Sequence, residues 1–229
     1  MSTHLITGAG SGIGEAVART LRDRGDRLLL LSRSEERAAE LAEEFPDAAT
    51  IVADLADPAG LEGVLTKAVL PDRLDSLLHV AGAVELSAVA ALPVGQLREQ
   101  LDVNLVAPAV LTRACLPALR RAQGTVVFVN STSGLRANPA WSAYAASKFG
   151  LRGFADALRA EEAEHGVRVT SVFPSRTATP MQEKVHGQEG KDYDASDWIT
   201  PETVADAIVH VLDVPPEATI PELVVKVAR

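Results

Sequence analysis

Tyr144 and Lys148 stand four residues apart in the run NSTSGLRANPAWSAYAASK, residues 130–148. If that run is helical, the spacing puts a phenol and an ammonium on one helix face. A nearby cation favours phenolate over neutral phenol. A tyrosine in that setting can give or take a proton near neutral pH. The same pair also fits an ordinary exposed helix, so the chemistry depends on what surrounds it. Ser131 stands just past an apolar run at residues 125–129, and a loop punctuated by Gly134 and Pro139 follows.

A second chemical stretch is GAGSGIG, residues 8–14. A short strand at residues 4–7 precedes it. A helix at residues 13–24, with Val17 and Leu21 on its apolar side, follows. Strand, glycine-rich turn and helix are the context of a phosphate-binding loop. Glycines let the backbone approach a ligand where a Cβ would block it. The amides at the helix start then face the anion. The spacing is Gly8, Gly12 and Gly14, with Gly10 extra, and differs from G-x-G-x-x-G. A plain glycine-rich turn has the same composition.

Residues 26–31 form a second apolar strand that ends in Ser32 and Arg33. NAD-binding units usually place an acid there to bond the ribose hydroxyls. Serine removes that charge, and an arginine can pair with a 2′-phosphate in a fork. The pattern favours NADP(H) over NAD(H). Arg33 also fits a solvent-facing place at a helix start. Farther along, Pro108 cannot donate to the carbonyl of Asn104. A distorted helix with an amide side chain and a freed carbonyl suits a held water. A simple boundary between two helices fits those residues equally.

These groups need elements to position them. Strands are expected at residues 4–7, 26–31, 49–53, 74–80, 124–129, 167–173 and 220–227. Helices are expected at 13–24, 34–45, from Pro58 to about 70, 94–122, 140–165 and 201–212. Leu97, Leu101 and Leu105 recur every four residues and face inward. Strands that are apolar throughout and alternate with helices imply a mostly parallel sheet covered on both faces. Right-handed crossovers make that a doubly wound α/β domain. Residues 1–229 read as one domain. Residues 86–92 read as a linker or short turn. Residues 177–197 have little periodicity and read as a mobile flap over a cleft.

Composition narrows the class. The chain has 229 residues, 47% of them hydrophobic, and a formal net charge of −9. That suits a soluble protein and argues against a nucleic-acid surface. The single cysteine, Cys115, excludes an internal disulfide and a cysteine-rich metal site. No charged leader with an apolar core is expected at the start, and no stretch of 18–20 apolar residues free of charge is expected to span a membrane. A reduced, cytoplasmic protein is the expectation. His165, His186 and His210 lack metal-ligand spacing. His79 and His4 read as packing or strand-edge residues. Trp141 fits either a wall of the substrate pocket or core packing.

Taken together, TGAGSGIG at residues 7–14, Asn104, Ser131 and YAASK at residues 144–148 resemble the classical short-chain dehydrogenase/reductase family. The resemblance spans nearly the whole chain. It implies a Rossmann-type, seven-stranded parallel sheet with helices on both faces. It implies Tyr144 as general acid in carbonyl reduction and base in alcohol oxidation. Lys148 would bond the nicotinamide ribose and lower the Tyr144 pKa. Ser131 would hold the substrate oxygen, and Asn104 would anchor a water in a proton relay. Gly8, Ser11, Gly12 and Ile13 would lie near the pyrophosphate. Ser32 and Arg33 would lie at the adenosine end, with Asp54 and Leu55 beside adenine. Ala81 and Gly82 would border the adenine ribose. Pro174 and Thr179 belong to a segment similar to P-G-x-x-x-T, with Thr179 on the phosphates or nicotinamide amide. The substrate flap would be residues 180–197. No metal is called for.

Two positions depart from the family pattern. Val80 stands where asparagine is usual in N-N-A-G, and lacks its hydrogen bonds. Ser175 stands where glycine is usual, and its side chain would crowd the nicotinamide-side loop. The expected activity is an NADP(H)-dependent oxidoreductase for a small or medium carbonyl compound and its alcohol. The alternative is a non-catalytic NADP(H)-binding regulator on the same scaffold. The resemblance also implies a homodimer or homotetramer built on helices 95–122 and 140–165, where Ala145, Gly150 and Gly153 allow close approach. Nucleic-acid and membrane partners are not expected.

Overall fold

The computed structural model describes residues 1–228. Seven strands form one sheet: β1 (Thr3–Thr7), β2 (Arg27–Ser32), β3 (Ala49–Val52), β4 (Ser76–His79), β5 (Thr125–Val129), β6 (Arg168–Pro174) and β7 (Glu222–Val225). Their order is β3-β2-β1-β4-β5-β6-β7. Every neighbouring pair is parallel. The helices are α1 (Gly12–Asp23), α2 (Glu35–Glu44), α3 (Pro58–Lys67), α4 (Val94–Leu101), α5 (Ala107–Ala122), α6 (Ser142–Glu162), α7 (Pro180–Glu189) and α8 (Pro201–Asp213).

Alternate strand residues feed two separate cores. Leu5, Leu77, Val126 and Phe128 pack with α3, α5 and α6. Ile6, Leu30, Leu78 and Val127 pack with α1, α2 and α8. Both faces are therefore dry, which is why the strands read as continuous apolar runs. The chain reverses its winding between β1 and β4. A crevice opens at the carboxyl ends of the strands at such a switch point. Ser32 closes β2, and Gly8, Ala81, Ser131 and Ser175 follow closely on strand ends, so they share that edge.

One segment differs from expectation, and two others take a defined form. The apolar run 94–122 is one continuous helical stretch, in which a π-turn, Asp102–Val106, joins α4 to α5. Of the two alternatives at Pro108 it is the distorted helix and not a boundary: the Ala107 amide bonds back five residues to the Asp102 carbonyl, and Pro108 has no N–H to give Asn104. By length and composition alone, Val94–Ala122 could also cross a membrane. Its inward residues Leu111, Cys115 and Leu119 instead belong to the core. The segment expected to be an irregular flap forms α7. Thr179 caps it by accepting from the Gln182 amide at 3.2 Å, and Gly190 ends it with φ +65°. The apolar period there is too short to see, whereas the caps were legible. Residues 86–92 contain only a 3₁₀ turn, Val89–Ala91.

Candidate active site

A cleft of about 970 Å³ runs across the carboxyl edge of the sheet. Every site residue expected from the sequence lines it except Asn104, which is buried behind its wall. The glycine loop forms one end. Gly8 has φ +77°, and a Cβ there would come within 2.8 Å of the Ala81 nitrogen. Gly12 has φ +54°, and its added Cβ would lie 2.8 Å from Thr179 Cγ2. Only glycine fits both places without displacement. The Thr7 hydroxyl accepts from the amides of Val80 and Ala81, both at 3.1 Å. The turns after β1 and β4 are thus tied into one cradle, with the amides at the start of α1, near Ser11 and Ile13, opening onto it.

At the end of the cleft expected to take the adenosine, Ser32 donates its hydroxyl to the Ser34 carbonyl at 3.0 Å. Arg33 is exposed at the cleft rim. Asp54 closes its own turn by accepting from the Ala56 amide at 2.9 Å, and Leu55 follows it in the cleft wall. Sequence reasoning missed Arg37. Its guanidinium donates to the Gly10 carbonyl and pairs with Glu40. The signal was available: Arg37 is in the first turn of α2, four residues after Arg33.

At the other end, Tyr144 and Lys148 rise from α6 with only 8% and 3% of their surfaces exposed. The Lys148 ammonium donates to the Val129 carbonyl at 2.9 Å and lies 5.7 Å from the Tyr144 ring centroid. Burial pushes the Tyr144 phenol up to about 12, against the pull of a hydrogen bond with Ser131. Burial also brings Lys148 down to about 8. Desolvation thus outweighs the Ser131 hydrogen bond, and the Tyr144 pKa stands raised rather than lowered.

Asn130 is a second residue the sequence reading passed over. Its side chain donates to the Lys148 carbonyl at 3.0 Å and accepts from the Ser131 amide at 2.9 Å. It locks the end of β5 to α6, and so sets Ser131 against Tyr144. The Ser131 hydroxyl accepts from the Ser133 amide at 3.1 Å. Asn104 uses its side chain on Ala83 and on Ser147. A Cβ on Gly82 would lie 3.2 Å from Asn104 Oδ1 and 3.7 Å from Lys148 Nζ, so these three groups do converge.

The two departures resolve differently. Ser175 lines the cleft, and its hydroxyl accepts from the Val227 amide at 3.1 Å, which ties the chain to the segment after β7. Val80 packs beside the core on the α1 side. His79 stacks on Phe128 at 4.8 Å and shares a 2.8 Å hydrogen bond with Thr112. Burial first, and then Lys148, hold it down to about 3, so it packs as a neutral ring. Pro174 ends β6 and Thr179 caps α7 above the glycine loop. Trp141 meets the Tyr144 ring edge-on at 5.8 Å and lines the cleft.

Comparison with known proteins agrees with this architecture. Residues 2–190 match the family model described as short chain dehydrogenase. An uncharacterized oxidoreductase of Staphylococcus epidermidis is 30% identical over 226 residues, covering 97% of this chain and 95% of that one. An alcohol dehydrogenase from Thermococcus sibiricus, solved with 5-hydroxy-NADP, superposes with a TM-score of 0.86 at 25% identity, over 98% of this chain and 96% of that one. A protein from Beutenbergia cavernae, provisionally assigned as an NAD(P)-dependent gluconate 5-dehydrogenase and holding NADP at low occupancy, gives 0.85 at 31% identity, over 98% and 95%. The glycine cradle, the parallel sheet and these likenesses together place the chain in the short-chain dehydrogenase family, whose members are oxidoreductases using a nicotinamide dinucleotide.

Proposed function

We propose that this chain is an NADP(H)-dependent oxidoreductase that interconverts a small or medium carbonyl compound and its alcohol, with Tyr144 as general acid and base. The observation that carries the reading is the convergence of Ser131, Tyr144 and Lys148 on the cleft that begins at the glycine loop. The cradle fits a dinucleotide: a Cβ at Gly8 or Gly12 would strike its walls, and the α1 amides would face its phosphates. When bound, NADP(H) would supply or accept the hydride. Preference for the 2′-phosphate rests on Arg33 and the neutral Ser32, with no acid at the end of β2.

The chain's own groups would then handle charge and protons. Ser131 and Tyr144 would hydrogen-bond the substrate oxygen, where negative charge develops during reduction. Tyr144 would pass its proton to that oxygen, or take it in the reverse direction. Lys148 would bond the ribose hydroxyls and bring positive charge to the tyrosine. The Asn104 carbonyl, which Pro108 cannot serve, would hold a water behind Lys148. Exposed Val106 and Phe149, on the two long helices, support assembly as a homodimer or homotetramer. A cytoplasmic setting fits the lone reduced cysteine.

The test is NADPH consumption by the purified protein across a panel of aldehydes and ketones, beside Tyr144→Phe. Turnover that drops at least about a hundredfold in the variant, with NADPH still bound, is expected. Tight NADPH binding with no turnover on any panel member would establish the regulatory alternative instead.

A further inference from the structure

The substrate end of the cleft is apolar. Val84, Tyr144 and Val185 form one buried cluster, with Leu86 and Trp141 packed against it. Besides Lys148, the charged side chain Arg176 of the cleft borders this cluster. Its guanidinium carbon lies 5.9 Å from the Trp141 ring centroid and 5.5 Å from that of Trp198. Trp141 in turn touches Tyr144. A free arginine one ring away from the reacting centre would draw an anionic arm of a substrate.

This arginine is already engaged. Its Nη2 donates to both carboxylate oxygens of Glu189, at 2.6 and 2.9 Å. The two side chains are only 28% and 13% exposed. Lys191 holds the same carboxylate at 3.1 Å. Burial pushes the Glu189 carboxyl upward, but its pairing with Arg176 and Lys191 wins and keeps it below the usual range. Glu189 ends α7, and Arg176 lies in the loop after β6, so the pair also fastens the helix over the cleft. Across the mouth, Glu85 is matched by Lys184 at 2.5 Å and by Gln188.

Resting on the oxidoreductase reading, we propose that the substrate is an uncharged carbonyl compound or secondary alcohol with an apolar arm, and that Glu189 enforces this choice by masking Arg176. An incoming carboxylate must displace Glu189 and leave it half-buried with one cation fewer. Breaking a desolvated pair to form another of the same kind brings little net gain. A neutral apolar arm displaces nothing and gains burial against Val84, Trp141 and Val185.

The experiment compares kcat/KM, with NADPH, for levulinate and its methyl ester, and for benzoylpropionate and its methyl ester. Each pair differs in charge while keeping the same carbonyl. The esters are expected to be preferred by about tenfold or more. Glu189→Gln keeps the size of the side chain and unmasks the cation. It should raise the acid-to-ester ratio about tenfold, mainly through the KM of the acid, the scale of one charged hydrogen bond. Adding Arg176→Gln should return the ratio to within about threefold of the parent. A parent that prefers the acids, or a Glu189→Gln ratio that stays put, overturns the proposal. So does a ratio that moves equally in the double variant, since that reports a loosened helix. Turnover of other carbonyls but of neither ester removes the apolar-arm claim. No turnover of any carbonyl while NADPH binds defeats the oxidoreductase reading, and this inference with it.

Discussion

The side chain of Asn104 clasps the backbone of Ala83: Oδ1 accepts from the Ala83 amide and Nδ2 donates to the Ala83 carbonyl, both at 2.8 Å. The π-turn at Asp102–Val106 aims the amide at the loop after β4. That loop, with Ala81 and Gly82, is one wall of the cleft. Asn104→Ala would strand both Ala83 groups and remove the donor to Ser147 Oγ, which keeps its bond to the Tyr144 carbonyl. A stability loss of about 3 kcal/mol is expected, read by urea denaturation with linear extrapolation. A loss below about 0.5 kcal/mol would show that the clasp does not hold the wall.

Cofactor choice should divide between the two arginines of the rim. Arg33 is exposed at the cleft rim, and on the proposed NADP(H) reading Arg33→Ala should weaken NADPH about tenfold and barely change NADH. Arg37 braces the Gly10 carbonyl. Arg37→Ala should therefore weaken both cofactors, because the loop itself loosens. Fluorescence titration with each cofactor checks this. Equal losses of NADPH and NADH in Arg33→Ala would remove that residue from the 2′-phosphate reading.

Lys148 should make stability rise with alkaline pH. Burial lowers its pKa from 10.5 to about 8. Between those values the unfolded chain binds a proton that the folded chain has lost, so raising pH favours folding. The buried-charge penalty is present below about 8 and fades above it. The stability of the parent relative to Lys148→Met should climb by about 2 kcal/mol from pH 8 to pH 10. Above pH 10, Tyr144 works the other way, because its folded pKa is raised to about 12 and the unfolded phenol loses its proton first. A flat difference between pH 8 and pH 10 would mean the ammonium is better solvated than its burial implies.

His79 should act on the acid side. Its folded pKa of about 3 lies far below its ordinary 6.5. The unfolded imidazole gains a proton as pH falls through 6.5, and the folded ring does not until about 3. Stability is lost across that window, by about 3 kcal/mol at pH 4. His79→Gln keeps a partner for Thr112 and cannot titrate, so its acid limb should be shallower by that amount. Parallel stability curves for the two proteins between pH 6.5 and pH 4 would sink the assignment.

Much of this site was legible because its chemistry is local. Gly8 and Gly12 announce their backbone angles by residue type. Tyr144 and Lys148 announce a shared helix face by their spacing. The continuous apolar strands state that both faces of the sheet are covered. Arg37 and Asn130 were legible too: each neighbours a residue already singled out, but their partners, Gly10 and the Lys148 carbonyl, lie in other segments. The helix α7 hid because two apolar residues, Met181 and Val185, make too short a period. Its caps, Thr179 and Gly190, carried the signal instead.

The sequence by itself determined the alternation of strands and helices, the glycine loop, and the order Asn104, Ser131, Tyr144, Lys148. Short-range sterics, turn chemistry and hydrophobic period act within a few residues, so a linear reading captures them. Tertiary structure decided that Tyr144 is held high by burial, that the Ser175 hydroxyl is taken up by the Val227 amide, that Asn104 serves Ala83, and that Arg176 is covered by Glu189. Each of these depends on how much water remains around a group and on which distant segment meets it. Desolvation and long-range pairing are set only when the sheet closes and α7 lies across its edge.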